Sequence, residues 1–206
     1  MFYREATEQF EDGELESSRV LFERAAGYGD SASYLEYIDA IQRAEAGKYA
    51  DAIPKLRPLA EAGFCDTRSY LRKVKAEYAH KRGDIFRAIQ YYSRLRNSYD
   101  ALDQLVALRL EHHDYFISEF ELPTGAASER EAFIVDQNVR IILEDNGDDA
   151  VEPPAYRQAV RVMGFRREHD GIYAIVIHAD APERGDFDAD LDEPLYFIPA
   201  DALFYT

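Results

Sequence analysis

The sequence contains no tryptophan, one cysteine and no long run of apolar residues. A single cysteine, Cys65, excludes an internal disulfide, and small secreted domains usually carry an even number of cysteines. Without a run of about 18 apolar residues, the sequence predicts no membrane-spanning helix. Met1 is followed at once by charged, helical-looking sequence and not by a signal peptide, so we predict a cytoplasmic protein.

Positive charge is also scarce. The chain has 24 basic side chains against 40 acidic ones, which gives a formal net charge of −16. From residue 131 onward there are 17 acidic residues, 6 arginines and no lysine. Phosphate repels such a chain, so we expect no nucleic-acid partner. Hydrophobic residues make up 47% of the sequence, which indicates a folded, globular protein.

Three stretches repeat one pattern that begins at a glycine: "GELESSRVLF" (13–22), "GKYADAIPKL" (47–56) and "GDIFRAIQYY" (83–92). The glycines are therefore 34 and 36 residues apart. A small residue follows each glycine by five positions, and a large apolar residue follows it by nine: Ser18 and Phe22, Ala52 and Leu56, Ala88 and Tyr92. An i, i+4 pair shares one helix face. We therefore expect a neighbouring helix to approach at the small residue.

A second element precedes the later glycines, as "GYGDSASYL" (27–35) and "GFCDTRSYL" (63–71), with a degraded copy at 97–105. Its aspartates, Asp30, Asp66 and Asp100, are typical helix caps. Each repeat then reads as helix, glycine turn, helix and capped restart. The predicted helices are 2–12, 15–26, 31–46, 50–61, 67–82, 84–96 and 99–112.

This pattern resembles the tetratricopeptide repeat family over residues 1–113, most closely in the stretch 83–92. The resemblance implies an antiparallel solenoid of helical pairs that presents a binding surface. The closing proline of that family is absent, and Asp39 and Lys75 stand where a small residue is expected. Pro54 and Pro58 fall inside one second helix, which we expect to kink or to start late.

After residue 113 the apolar residues no longer recur at helical spacing and instead recur at every second position. Residues 114–131 include a small, polar, proline-bearing stretch and are predicted to be a linker. Val139, Ile141 and Leu143 then alternate with other residues, as in a strand. Asp170-Gly171 is a favoured tight turn between two apolar runs, and Gly164 predicts a bulge in the first of them.

The end of the chain predicts a strand, one helical turn at 199–203 and a short final strand. The order of elements resembles that of the small barrels of the Src-homology or Tudor type: strand, long loop, hairpin, strand, helical turn and strand. The predicted fold class is therefore α+β with two domains. A helical-pair solenoid of about seven helices (1–113) is followed by the linker and by a small antiparallel β-barrel (132–206).

The sequence offers few candidate catalytic or metal-binding residues. Cys65 is expected to be a small packing residue between repeats. The sequence His112-His113-Asp114 and the pair His178 and Asp180 offer too few metal ligands. The run "DFDADLDE" (186–193) resembles the start of a calcium loop, although Leu191 replaces the glycine that the loop needs. We therefore predict no cofactor, no metal and no enzymatic activity.

The basic residues are concentrated in one repeat. Residues 66–96 contain 9 basic and 3 acidic residues. The balance is reversed on both sides: residues 1–65 contain 7 basic and 13 acidic residues, and residues 97–130 contain 2 basic and 7 acidic residues. This reversal favours a contact site for an acidic partner, and the alternative is an ordinary solvated face. The candidate partner-binding residues are Arg68, Arg72, Lys75, Arg82 and Arg87.

These patterns predict a non-enzymatic adaptor or scaffold that binds another protein or peptide through its helical repeats. One alternative is an inhibitor of the immunity-protein kind, whose acidic surface would block a basic partner. Another is an enzyme built on the β-domain, with His178 and Asp180 in its site.

Overall fold

A computed structural model of the chain describes residues 2–95, 98–117, 121–122, 126, 131–134, 142–143, 154–155, 158–169, 171–179 and 195–205. Within these residues, seven α-helices are followed by an antiparallel sheet, so the fold class is α+β, as predicted. The helices are α1 Phe2–Glu11, α2 Leu15–Arg24, α3 Ser31–Glu45, α4 Tyr49–Glu61, α5 Thr67–Arg82, α6 Ile85–Leu95 and α7 Ala101–Glu111. All seven predicted helices are present, with ends within two residues of the predicted ones.

From α1 to α6, each helix packs against the next helix along the chain. The turns within the pairs are made at Gly13, Gly47 and Gly83, with φ of 81°, 70° and 80°. Space is available for a Cβ at Gly13 and Gly83. Glycine is therefore favoured there by its left-handed backbone rather than by close packing.

The repeat alignment is confirmed by burial. Ser18, Ala52 and Ala88, the small residues of the three second helices, are each 0% exposed. The large residues one turn later, Phe22, Leu56 and Tyr92, are at most 3% exposed. A small side chain thus lies at each helix contact, and a large one lies one turn further along the helix. This is the packing that the sequence spacing predicts.

The predicted aspartate caps are wrong for α3 and α5. Asp30 and Asp66 precede these helices, but neither side chain bonds to the helix backbone. Instead, the side chain of the first helical residue bonds to the turn before it. The hydroxyls of Ser31 and Thr67 donate to the carbonyls three residues earlier, at 2.6 and 2.5 Å. Both residues are almost fully buried, so the turn is closed by hydroxyls inside the stack.

The two prolines of α4 do not delay its start. The helix begins at Tyr49 and contains both Pro54 and Pro58. Each proline lacks the N–H that would bond four residues back. The segment is helical despite both prolines, and its Ala52, Leu56 and Ala60 bury one face against the neighbouring helices.

The turns between repeats share a backbone conformation that the sequence does not reveal. Gly29, Cys65 and Tyr99 occupy equivalent positions, 36 and 34 residues apart, with φ of 54°, 46° and 55°. Left-handed backbone is ordinary for glycine and uncommon for the other two residue types. At Cys65 and Tyr99 the surrounding turn therefore imposes a conformation that the residue itself disfavours.

The second half forms one antiparallel sheet. Its strands are β1 Glu131–Ile134, β2 Ile142–Leu143, β3 Ala159–Glu168, β4 Gly171–His178, β5 Tyr196–Pro199 and β6 Leu203–Tyr205. They pair in the order β2-β5-β4-β3-β1-β6. A single 3-10 turn, Ala200–Ala202, separates the last two strands, as predicted. Among the described pairings none joins β2 to β6.

The predicted hairpin and bulge are confirmed. Glu168 pairs with Gly171 at the end of the β3–β4 hairpin, and the register shifts between Val162 and Gly164. The main core includes Val160, Val162, Ala174, Val176, Tyr196 and Ile198. This core lies on one face of the hairpin and the neighbouring strands.

The chain divides into two compact units, Met1–Leu105 and Val106–Thr206, called here the helical unit and the sheet unit. Ile117, Leu122 and Ala126 fall in the predicted linker, and they pack against the core of the sheet unit. That segment therefore contributes to a folded unit. The predicted boundaries at 113 and 132 stay predictions.

Candidate functional site

A groove of about 700 Å³ lies in the helical unit. The outward side of α5 supplies four of its lining residues: Lys73, Glu77, His80 and Lys81. These residues are three, four or one position apart, so one helix presents them together as a row. The groove thus has a floor of mixed charge within the basic third repeat, residues 66–96.

Residues from other segments line the rest of the groove. Tyr49 begins α4, Tyr92 lies in α6, Tyr99 and Asp100 lie in the turn before α7, and Gln104 lies in α7. Burial raises the pKa of Tyr92 to about 12, and burial together with the charge of Glu77 raises that of Tyr49. Both hydroxyls therefore stay protonated at neutral pH and remain able to donate a hydrogen bond to a bound group.

Lys73 is held at the floor by an acid and two rings. Its Nζ lies 3.5 Å from Oε1 of Glu77. The same Nζ is 5.2 Å from the ring centre of Tyr70 and 5.8 Å from that of Tyr99. Cation–π contact and the ion pair together fix this ammonium, and the ion pair largely compensates its charge.

Tyr99 is anchored across the stack. Its hydroxyl donates to the carboxylate of Asp66, which also accepts the hydroxyl of Tyr37 at 2.5 Å. The Tyr70 ring centre is 5.7 Å from that of Tyr37 and 5.9 Å from that of Tyr99. Three successive repeats thus meet at one carboxylate. This network explains how a bulky residue is kept in left-handed backbone and why the groove has a wall there.

The five predicted partner-binding residues do not form one exposed face. Lys75 and Arg87 are buried, with exposures of 7% and 9%. Lys75 lies 5.4 Å from the ring centre of Tyr91, and Arg87 pairs with Asp84 at 2.6 Å. These two side chains serve the interior of the third repeat.

The other three are more accessible. Arg68 is exposed, and its Nε donates to the carbonyl of Ala60 at 2.9 Å. Arg72 is half-buried, and Arg82 is exposed against the ring of Tyr78. A partner-binding role for these residues stays a prediction.

Cys65 is not the packed residue that the sequence predicts. It is exposed and has left-handed backbone in the turn before α5. Partial shielding from solvent raises the pKa of its thiol, and the Tyr34 hydrogen bond opposes this. A helix start can lower a thiol pKa, but here shielding dominates.

Some of the possible metal ligands lie in the described part of the chain and others lie outside it. His178 is 3.1 Å from the side-chain nitrogen of Gln158 and lies edge-on to Tyr196. Asp180 and the acidic run 186–193 lie outside the described residues, as do Val139 and Ile141. Within the described ranges, no group of three His, Cys, Asp or Glu side chains could hold a metal ion.

None of the groove residues was among the partner-binding residues predicted from the sequence. The signal for Glu77 was its position four residues after Lys73. No local signal marks Tyr99, because its partners Asp66 and Tyr37 are 33 and 62 residues away in the chain.

Among the described helices, none has the length and apolar character required to cross a membrane. Comparisons with protein families, with curated proteins and with solved structures found no match for this chain.

Proposed function

We propose that this protein is a non-enzymatic adaptor whose helical unit binds a segment of another protein. The observation that carries the proposal is the groove of about 700 Å³ lined by Tyr49, Tyr92, Tyr99 and the charged row of α5. Tyrosines supply large, rigid contact area at low entropic cost, and charged groups give orientation. A groove of this size accommodates a few side chains of an extended or helical segment.

The proposal includes a tetratricopeptide-like character for the helical unit. Its support is the glycine turn within each pair, the 34- and 36-residue spacing, and the fully buried Ser18, Ala52 and Ala88. Repeat stacks of this kind use their extended surfaces for binding partners. The absent closing proline and the buried Lys75 set this chain apart from the common pattern.

We also propose that the sheet unit is a small barrel of the Src-homology or Tudor type. The support is the pairing of β6 with β1, the β3–β4 hairpin and the 3-10 turn before the last strand. Closure of such a barrel would bring the two edge strands, β2 and β6, together. This unit is assigned no catalytic step.

The test is affinity capture from the native host with the full chain, comparing wild type with Gln104→Trp. Gln104 is exposed and lines the groove, so an indole there should obstruct part of the groove without disturbing the core. The matched control is Asp103→Trp, since Asp103 is the exposed neighbour on α7 and lies outside the groove lining.

We expect a protein to be captured by wild type and by Asp103→Trp and to be lost from Gln104→Trp. Equal capture by all three proteins, or capture of none by wild type, would overturn the groove as the binding site. Circular dichroism should show that both variants keep the helical content of wild type.

A further inference from the structure

Two exposed cationic side chains at the end of α5 each lie against a tyrosine ring. Lys81 and Arg82 are both exposed. Nζ of Lys81 lies 5.4 Å from the ring centre of Tyr49, and Cζ of Arg82 lies 5.5 Å from that of Tyr78. The two ring centres are 6.2 Å apart. We call Tyr49, Tyr78, Lys81 and Arg82 the cationic ledge.

The ledge keeps its charge. Besides the ring, the contact of Lys81 is the backbone carbonyl of Gly47, at 3.3 Å. A carbonyl and an aromatic face orient a cation without neutralising it. Rings beneath the two side chains also restrict their rotamers, which reduces the entropy that a ligand must overcome.

The acidic groups of the same repeat are already engaged. Asp66 accepts two tyrosine hydroxyls, Glu77 pairs with Lys73, and Asp84 pairs with Arg87. These pairings do not involve Lys81 or Arg82, although Asp100 adds one negative charge to the groove lining. The negative end of the α5 dipole, about half a charge, offsets only part of the two charges on the ledge.

The ledge is continuous with the groove. Tyr49 and Lys81 belong to both, and Lys73 lies on the groove floor two turns earlier on α5. A segment bound in the groove would thus reach the two cations at one end. An extended segment that carries clustered carboxylates matches this arrangement in charge and shape.

We propose that the cationic ledge binds the acidic part of a partner segment, with Asp or Glu carboxylates bonded to Lys81 and Arg82 while the rest lies in the groove. The inference rests on the proposed adaptor function and adds the chemistry of the ligand. A polypeptide is favoured over a nucleic acid because the protein's net charge of −16 repels a polyanion, whereas a short acidic segment meets only the ledge.

The experiment measures fluorescence anisotropy of a labelled ten-residue peptide containing five glutamates and two leucines, titrated with the full chain. We expect saturable binding that weakens between 50 and 300 mM salt. The Lys81→Gln/Arg82→Gln variant should bind about five- to thirty-fold more weakly, since it loses two exposed charge pairs. Tyr78→Leu, which keeps both charges and removes one ring, should bind a few-fold more weakly.

The matched control is Arg4→Gln/Arg24→Gln, which changes the net charge equally at two exposed positions of α1 and α2. It should bind the peptide as wild type does. No binding to wild type, an equal loss in the control, or equal binding of a single-stranded oligonucleotide would overturn the proposal.

The same variants separate this inference from the adaptor function. If a partner captured from the host is lost with Gln104→Trp but kept with Lys81→Gln/Arg82→Gln, the groove binds a partner and the ledge does not. Loss of the partner with both variants supports both statements.

Discussion

Ser18 carries the only hydroxyl among the small residues at the helix contacts of the three repeats; the other two are Ala52 and Ala88. Its side chain is fully buried, and its Oγ has no hydrogen-bond partner. A buried hydroxyl without a partner costs about 1–3 kcal/mol of stability. The two alanine repeats show that the site accommodates a methyl group alone.

We therefore expect Ser18→Ala to stabilise the protein by about 1 kcal/mol, because it removes the unsatisfied group and adds helix propensity. Urea unfolding followed by circular dichroism measures the change. The control Ser17→Ala makes the same substitution at an exposed position of α2 and should gain only a few tenths of a kcal/mol. A loss of stability on Ser18→Ala would show that the hydroxyl has a partner in solution.

At the scale of elements, α3 and α4 are joined by a charge network around Asp39. Its Oδ2 accepts from Nε of Arg43 at 2.9 Å and lies 3.0 Å from Nζ of Lys55. The Arg43 hydrogen bond, aided by Lys55, holds the pKa of Asp39 below its ordinary value of 3.8. This contact explains why an aspartate stands where the repeat pattern predicts a small residue, since the neighbouring Ala40 takes the buried position.

A pH-dependent stability follows from this lowered pKa. Because the folded state lowers the pKa, the contribution of Asp39 is complete above pH 4 and is lost as the pH falls through the folded pKa. Asp39→Asn should cost at most about 1 kcal/mol at pH 7, since solvent screens the partly exposed pair. The difference from wild type should shrink towards pH 2.

Urea unfolding at pH 7, 4 and 2.5 measures this effect. Asp51→Asn is the comparison, because Asp51 is 59% exposed and lies 3.8 Å from Arg43, so its removal should change little. A difference for Asp39→Asn that is independent of pH would show that packing, and not charge, accounts for the loss.

At the scale of the whole molecule, the segment between the helices and the sheet belongs to a folded unit. Ile117, Leu122 and Ala126 pack on the sheet core, and Glu121 pairs with Arg167 at 2.6 Å. A fragment 106–206 should therefore unfold cooperatively. A fragment 132–206 should be less stable by roughly 2 kcal/mol, because it exposes the apolar surface that these side chains cover.

Thermal unfolding of the two fragments measures the difference. Glu121→Gln in the longer fragment serves as a control, since an exposed ion pair contributes about 0–1 kcal/mol. Equal midpoints for the two fragments would mean that the segment acts as the linker that its composition predicts.

Local sequence determined most of the secondary structure. The left-handed glycine turns, the i, i+4 spacing of Ala88 and Tyr92, and the bulge at Gly164 are properties of a few neighbouring residues. Such features depend on backbone conformation and on side-chain period, which a single stretch of sequence encodes. The seven helices, the hairpin and the final 3-10 turn could therefore be predicted.

Only the tertiary structure decided which charges are available to a partner. Lys75 and Arg87 were predicted to bind a partner, but helix packing buries them beside Tyr91 and Asp84. The turn at Tyr99 is likewise fixed by Asp66, 33 residues earlier in the chain. Side-chain type gives the charge of a residue, whereas its burial and partners depend on segments distant in sequence that meet only in the packed stack.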